Sequence, residues 1–302
     1  MDKKVIKYYF DLHVHCGPEA IPRKYDFLEL SMLIKESNMS GAVVKSHFHS
    51  TAPWVYMAAA HGHSNLFGAL VLNHYVGGIN PHAVFASLGL EYQGKPCLKI
   101  VWMPTLHAKG HYDMQVKHGQ EYDIPLEWTG NVPAKGRQKL SKIRPINIFE
   151  PKTNKKLHQV LEVLAENELI LATGHLTRDE VLYLVPEAVK KGVKKIIITH
   201  PVYEATRLNT EDLLELVKFE GVYVEQSYAL VLIDNLPISQ IVQQIKSVGA
   251  KHTILTGDLG QKQIIDPPEG MEEYFELLIN EGITASEIEE MVCHNPRFLL
   301  GI

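Results

Sequence analysis

Cysteine is scarce in this 302-residue chain. Cys16, Cys97 and Cys293 are the only three, an odd number without close spacing, which argues against a disulfide framework and a cysteine-only zinc site. Basic charge is also in short supply. Thirty Lys and Arg stand against 35 Asp and Glu, for a formal net charge of -5 and a pI near 6.3. No basic field is present to hold nucleic acid or an anionic membrane, so the expected partner is a small molecule. Nowhere do roughly 18 uncharged apolar residues run together, as a spanning helix would need. The opening MDKKVIKYYFDLHVH carries lysines but no apolar signal region, so a cytoplasmic protein is expected.

What is present is an alternation. Hydrophobic residues make up 45% of the chain, enough for one large domain over 1–302. Apolar runs rich in β-branched residues predict strands at Tyr8 to Leu12, Gly41 to Lys45, Phe67 to Leu72, Leu98 to Trp102, Leu169 to Thr173, Lys195 to Thr199, Gly221 to Glu225 and His252 to Thr256. Helix signals fill the gaps, a pattern that points to parallel strands joined by crossover helices. Asn80-Pro81 reads as an N-cap followed by a first-turn proline. Thr177 with Glu180 and Thr284 with Glu287 read as capping boxes, the first opening a helix that ends before Gly192 and the second a final helix ending near His294. Eight strands fit a (β/α)₈ TIM barrel. The rival, a doubly wound open sheet, would want a glycine-rich phosphate turn after an early strand, and Cys16-Gly-Pro is not one. The stretch 109–151 breaks the rhythm after strand four and is too long for an ordinary connection. It reads as a lid or hairpin insertion over the active-site face, with contact to a second subunit, as in a homo-oligomer, left open.

Sixteen histidines are the anomaly. The first strand ends His13-Val-His15, and residues two apart in a strand share a face. The fifth run ends at His175, the sixth at His200 and the eighth at Asp258. A polar residue just past a barrel strand reads as catalytic, because loops at that end build the active site. Each of these residues has a bland reading as a satisfied core group, but recurrence at four strand ends favours a metal centre.

The constellation resembles the amidohydrolase superfamily, whose metal-dependent hydrolases carry HxH after strand one, histidines after strands five and six, and an aspartate after strand eight. The closing His294-Asn-Pro-Arg-Phe-Leu-Leu-Gly301 is similar to a tail common there. The resemblance implies that His13, His15 and Asp258 hold a buried metal and that His175 and His200 hold a second. It also implies that a metal-activated hydroxide attacks while Asp258, as general base, moves the proton from water to the leaving group. Imidazole and carboxylate ligands suit zinc, with manganese, iron and nickel open.

One departure stands out. Many binuclear members bridge their metals with a carboxylated lysine or a glutamate from strand four, and here that strand ends Val101-Trp-Met-Pro-Thr105-Leu-His107. Lys45, at the end of strand two, is the candidate for a carboxylated bridge, against an ordinary lysine paired with an anion. His47, His49, His107, Tyr203, Arg207, Glu225 and Gln226 are candidate substrate contacts. The expected activity is hydrolysis of a small-molecule amide, lactone or ester. A phosphoesterase, a mononuclear lyase or decarboxylase, and a non-catalytic metal-binding barrel are the alternatives.

Overall fold

In the computed structural model, residues 6–125, 128 and 143–302 are described. Eight parallel strands follow one another in chain order around a barrel: β1 (Tyr9–His15), β2 (Met39–Lys45), β3 (Leu66–Val71), β4 (Leu98–Trp102), β5 (Ile170–Ala172), β6 (Ile196–Ile198), β7 (Val222–Ser227) and β8 (Thr253–Thr256). The ring closes beyond the end of β8, where Asp258 N donates to His13 O and His15 N to Leu259 O, each at 2.8 Å. The fold is thus the (β/α)₈ barrel expected from the alternation. All eight apolar runs are strands; Leu98–Trp102 matches at both ends and the others shift by at most three residues.

Alternation sorts the strand residues. Phe10, Leu12, Val43, Ala69, Val71, Ile100, Trp102, Ile170, Ala172, Ile197 and Ile254 pack together inside the ring, where Leu299 and Leu300 join them. Val44, Leu70, Val101, Leu171, Ile198 and Val224 face the helices instead. In β1 the register slips between Asp11 and Val14, where Leu12 and His13 together stand against the single residue Val43. This bulge turns Leu12 and His13 both toward the interior, which strict alternation forbids.

The helices are α1 (Phe27–Lys35), α2 (Ala52–Ala60), α3 (Pro81–Leu88), α4 (Lys109–Lys117), α5 (Pro151–Glu166), α6 (Arg178–Lys190), α7 (Thr210–Leu216), α8 (Ala229–Leu232), α9 (Ile238–Val248), α10 (Pro267–Asn280), α11 (Ala285–Glu289) and α12 (Asn295–Leu300). Asn80 caps α3, and the Thr177–Glu180 and Thr284–Glu287 boxes form with both reciprocal bonds. Two further boxes, Asp26–Glu29 and Asn209–Asp212, open α1 and α7. Such a cap contributes roughly 1 kcal/mol. The last helix does not stop near His294. A π-turn over Glu290–His294 carries the chain into α12, with Pro296 in the first turn of α12. Within the expected insertion, α4 is followed by Tyr122 and Ile124, which pack on Ile21 and Leu106. Its residues 126–127 and 129–142 lie outside the described residues. No described helix is long and apolar enough to cross a membrane.

Candidate active site

The two histidines of β1 are held from behind. His13 Nδ1 lies 2.8 Å from Glu225 Oε1 on β7, and His15 Nδ1 lies 3.0 Å from the carbonyl oxygen of Lys45 on β2. Both acceptors demand a proton on Nδ1, which leaves each Nε2 lone pair facing the barrel axis. There they meet Asp258: His13 Nε2 and His15 Nε2 each stand 3.0 Å from Oδ1, and His200 Nε2 stands 3.3 Å from Oδ2. Lys45 Nζ reaches in to 2.7 Å from His13 Nε2. Side-chain ligand atoms of His13, His15 and Asp258 lie within 4.8 Å of one another, as do those of His13, His200 and Glu225.

Two of these residues sit in a backbone conformation that L residues seldom adopt. His200 has φ 44° and Asp258 has φ 53°. His and Asp enter this region more readily than most side chains, but each position still carries strain of about 1–3 kcal/mol. Gly174, with φ 61°, sets up His175, whose amide donates to Pro104 O at 2.9 Å. The His175 ring stands 5.8 Å from that of His200 and 5.1 Å from that of Tyr203.

Burial dominates the electrostatics. It pushes His15, His47 and His175 well below the ordinary imidazole value, so all three are neutral. His13 is the exception, because the Asp258 and Glu225 carboxylates outweigh its desolvation and raise it. Desolvation alone would raise Asp258, yet the surrounding imidazoles hold it well below the carboxylate range. Burial brings Lys45 down to about 8, with Asp258 and Glu225 opposing. Three buried imidazoles around one ionised carboxylate form a donor set that could hold a metal ion.

The remaining expected residues divide. His47 stacks against His15 and Trp128 and accepts or donates to Thr105 Oγ1 at 3.0 Å. His47 and Tyr203 line the cavity together with His15, Lys45, His175, His200 and Asp258. Glu225 stands behind His13 and also accepts from Thr256 Oγ1 at 2.9 Å. Gln226 is one residue further along β7, so it points to the helix layer and donates to Gln244 on α9. His107 packs between the rings of His74 and Tyr75, His49 lies edge-on to Trp54, and Arg207 pairs with Glu204 on the surface. These four are not brought to the cavity.

Sequence reasoning passed over several residues in or next to the site. Asp11, fully buried, accepts from the amides of His13 at 2.9 Å and Gly257 at 3.0 Å, and so ties β1 to the turn that carries Asp258. Burial, partly offset by those two bonds, brings its carboxyl up to about 7. Arg23, Gln261 and Trp128 line the cavity, and His111 packs beside His175 at 5.9 Å between ring centres. Asp11 is the one with a signal, two residues before His13. The others come from loops and from α4, where no periodicity marks them.

A larger vestibule outside shares Trp128, Tyr203, Ile233 and Asp234 with the inner cavity, so these four form the partition between them.

The model of a family of unknown function, DUF6282, matches residues 9–225. No curated protein matches the sequence. Among solved structures, the chain is similar to an organophosphorus hydrolase from Deinococcus radiodurans at 12% identity and a TM-score of 0.59, over 98% of this chain and 92% of that one. A zinc-bound amidohydrolase from Burkholderia multivorans matches at 10% identity and a TM-score of 0.57, over 98% and 99%. An N-acetyl-D-glucosamine-6-phosphate deacetylase from Mycobacterium smegmatis matches at 13% identity and a TM-score of 0.55, over 97% and 76%. At these identities the likeness establishes the barrel fold.

Proposed function

The chain belongs to the DUF6282 family, whose function is unknown, and from its site we propose that it is a metal-dependent hydrolase of a small-molecule amide, lactone or ester. One observation carries the reading: the Nε2 atoms of His13, His15 and His200 converge on the two oxygens of Asp258 at 3.0, 3.0 and 3.3 Å. With the Nδ1 atoms of His13 and His15 committed to acceptors behind them, these groups satisfy one another best around a divalent cation.

The donor set fits such a metal. His13, His15 and Asp258 would hold one ion, and His200 with His175 a second. Lys45, if carboxylated, would bridge them; its burial and its reach to His13 Nε2 support that role. Zinc suits this imidazole and carboxylate set best, while manganese, iron and nickel fit it too. The zinc in one structural neighbour agrees with the choice. When bound, the metal polarises the scissile carbonyl and brings the pKa of water toward neutrality.

The chain supplies the rest. Asp258 takes the proton of the attacking water on a carboxylate oxygen and returns it to the leaving group. Glu225 fixes the His13 ring and its tautomer, while the strained turns at His200 and Asp258 hold both side chains over the axis. Trp128 and Tyr203 wall the cavity on the vestibule side. The test is Asp258→Asn in zinc-reconstituted protein, against a panel of lactones, esters and amides that the wild type hydrolyses. Turnover should fall by about 10²–10⁴ with the fold intact, the range for removing a general base. Unchanged turnover would remove Asp258 from that role.

A further inference from the structure

Arg23 lies in the β1–α1 loop, its side chain 2% exposed. Its Nε donates to Glu19 Oε1, and the other Glu19 oxygen accepts from Ser46 Oγ at 2.6 Å. The backbone around it is pinned as well: Arg23 bridges to Gln261, and Lys24 N donates to Gly260 O at 3.0 Å. The guanidinium is therefore fixed in place before any ligand arrives. Among the described residues no hydrogen bond reaches Nη1 or Nη2. Yet Arg23 lines the inner cavity beside His15, Lys45, Asp258 and Gln261, and its charge is felt at His15, Lys45 and His47.

A guanidinium whose terminal amino groups make no hydrogen bond to the described residues and border a cavity is suited to recognising an anion. The free edge of the fork matches two oxygens of a planar acid. Glu19 holds the Nε side of the fork, so only the Nη1–Nη2 edge is left to a ligand. The same lining includes the apolar Trp128, Leu230 and Ile233 beside Asp234, so the body of the ligand would meet apolar as well as charged groups.

We propose that Arg23 is the anchor for a substrate carboxylate, and that the hydrolysed molecule is a small carboxylic acid whose scissile bond lies beside Asp258. The substrate class rests on the hydrolase reading above; the anchor itself does not.

Benzoate and benzamide share a body and differ in charge, so calorimetric titration of both into zinc-loaded protein measures the anchor directly. The wild type should bind benzoate at least about tenfold tighter than benzamide, as a charge-assisted pair would give. Arg23→Gln alone would strand Glu19, so the comparison is the Arg23→Gln, Glu19→Gln double variant, checked for fold by circular dichroism and for zinc by elemental analysis. It should lose the preference and keep the zinc. An equal affinity for both probes in the wild type, an unchanged preference in the double variant, or tighter binding of inorganic phosphate than of benzoate would each overturn the proposal. A preference that vanishes on stripping zinc but survives in the double variant would also overturn it, since the metal would then be the anchor. Wild-type protein that binds no metal yet keeps an Arg23-dependent preference would end the hydrolase reading and leave the anchor standing. Should the double variant not fold, a wild-type crystal structure with benzoate decides: carboxylate oxygens on Nη1 and Nη2 support the anchor, and any other placement contradicts it.

Discussion

Glu225 grips the back of His13, with Oε1 2.8 Å from Nδ1, on the side of the ring away from Asp258. The contact decides which nitrogen carries the proton, so it reaches the centre without touching a metal. Glu225→Gln keeps the shape and removes the charge. Affinity for zinc should fall by about 10–100-fold, the usual cost of losing such an outer partner. Competition against a chromophoric chelator measures it, and an unchanged affinity would show that His13 is oriented by other contacts.

Lys45 is buried at the end of β2, with Nζ beside His13 Nε2 and 5.1 Å from the centre of the Trp102 ring. If its amine is carboxylated in the loaded protein, zinc reconstitution of chelator-stripped protein should be faster and fuller with bicarbonate. Lys45→Arg, which cannot form a carbamate, should show no bicarbonate effect. Intact protein mass under non-acidic conditions gives a second reading, and an unmodified Lys45 in fully loaded protein would end the bridging role.

Gly174 has a left-handed backbone, and a Cβ there would lie 2.4 Å from Met103 O and 2.5 Å from Pro104 O. The loop before His175 has no room to give, because both contacts are backbone. Gly174→Ala should therefore destabilise by more than the roughly 1–3 kcal/mol of the conformation alone, and should reduce metal content through His175. Denaturant unfolding and elemental analysis check both. A neutral result would mean that the β4 and β5 ends are looser than they stand here.

Arg178 at the start of α6 donates twice to Asp212, at 2.7 and 2.6 Å, and Asp212 also closes the capping box of α7. Burial would raise the Asp212 carboxyl, but the guanidinium and the Asn209 amide outweigh it and hold it low. A depressed acid contributes stability that is present above its unfolded pKa of about 3.9 and is lost as pH falls through the folded value. Wild type and Asp212→Asn should thus differ in Tm near neutrality and converge in acid. A difference that persists at low pH would assign the effect to packing.

The barrel was legible because each strand is a short apolar run bounded by helix signals, and a parallel barrel strand is buried on both faces. His13, His175, His200 and Asp258 stood out as candidates for the same reason, each being the first polar group past such a run, and His15 follows two residues after His13. Gln226 was misplaced by a rule the sequence does contain: Glu225 and Gln226 are adjacent in one strand and cannot both face inward. The bulge in β1 was not legible, since it arises from how Asp11 bonds to the β8 turn. Arg23, Gln261 and Trp128 reach the cavity from loops, where only the closed barrel brings distant segments together.

The central claim is that these side chains hold a catalytic metal. Elemental analysis of protein purified without chelator, beside a His13→Asn, His15→Asn variant, tests it most directly. The account predicts about two transition-metal ions per chain in the wild type, the number a two-metal site holds, and their loss in the variant. A wild type that stays free of metal after zinc or manganese is supplied would contradict it.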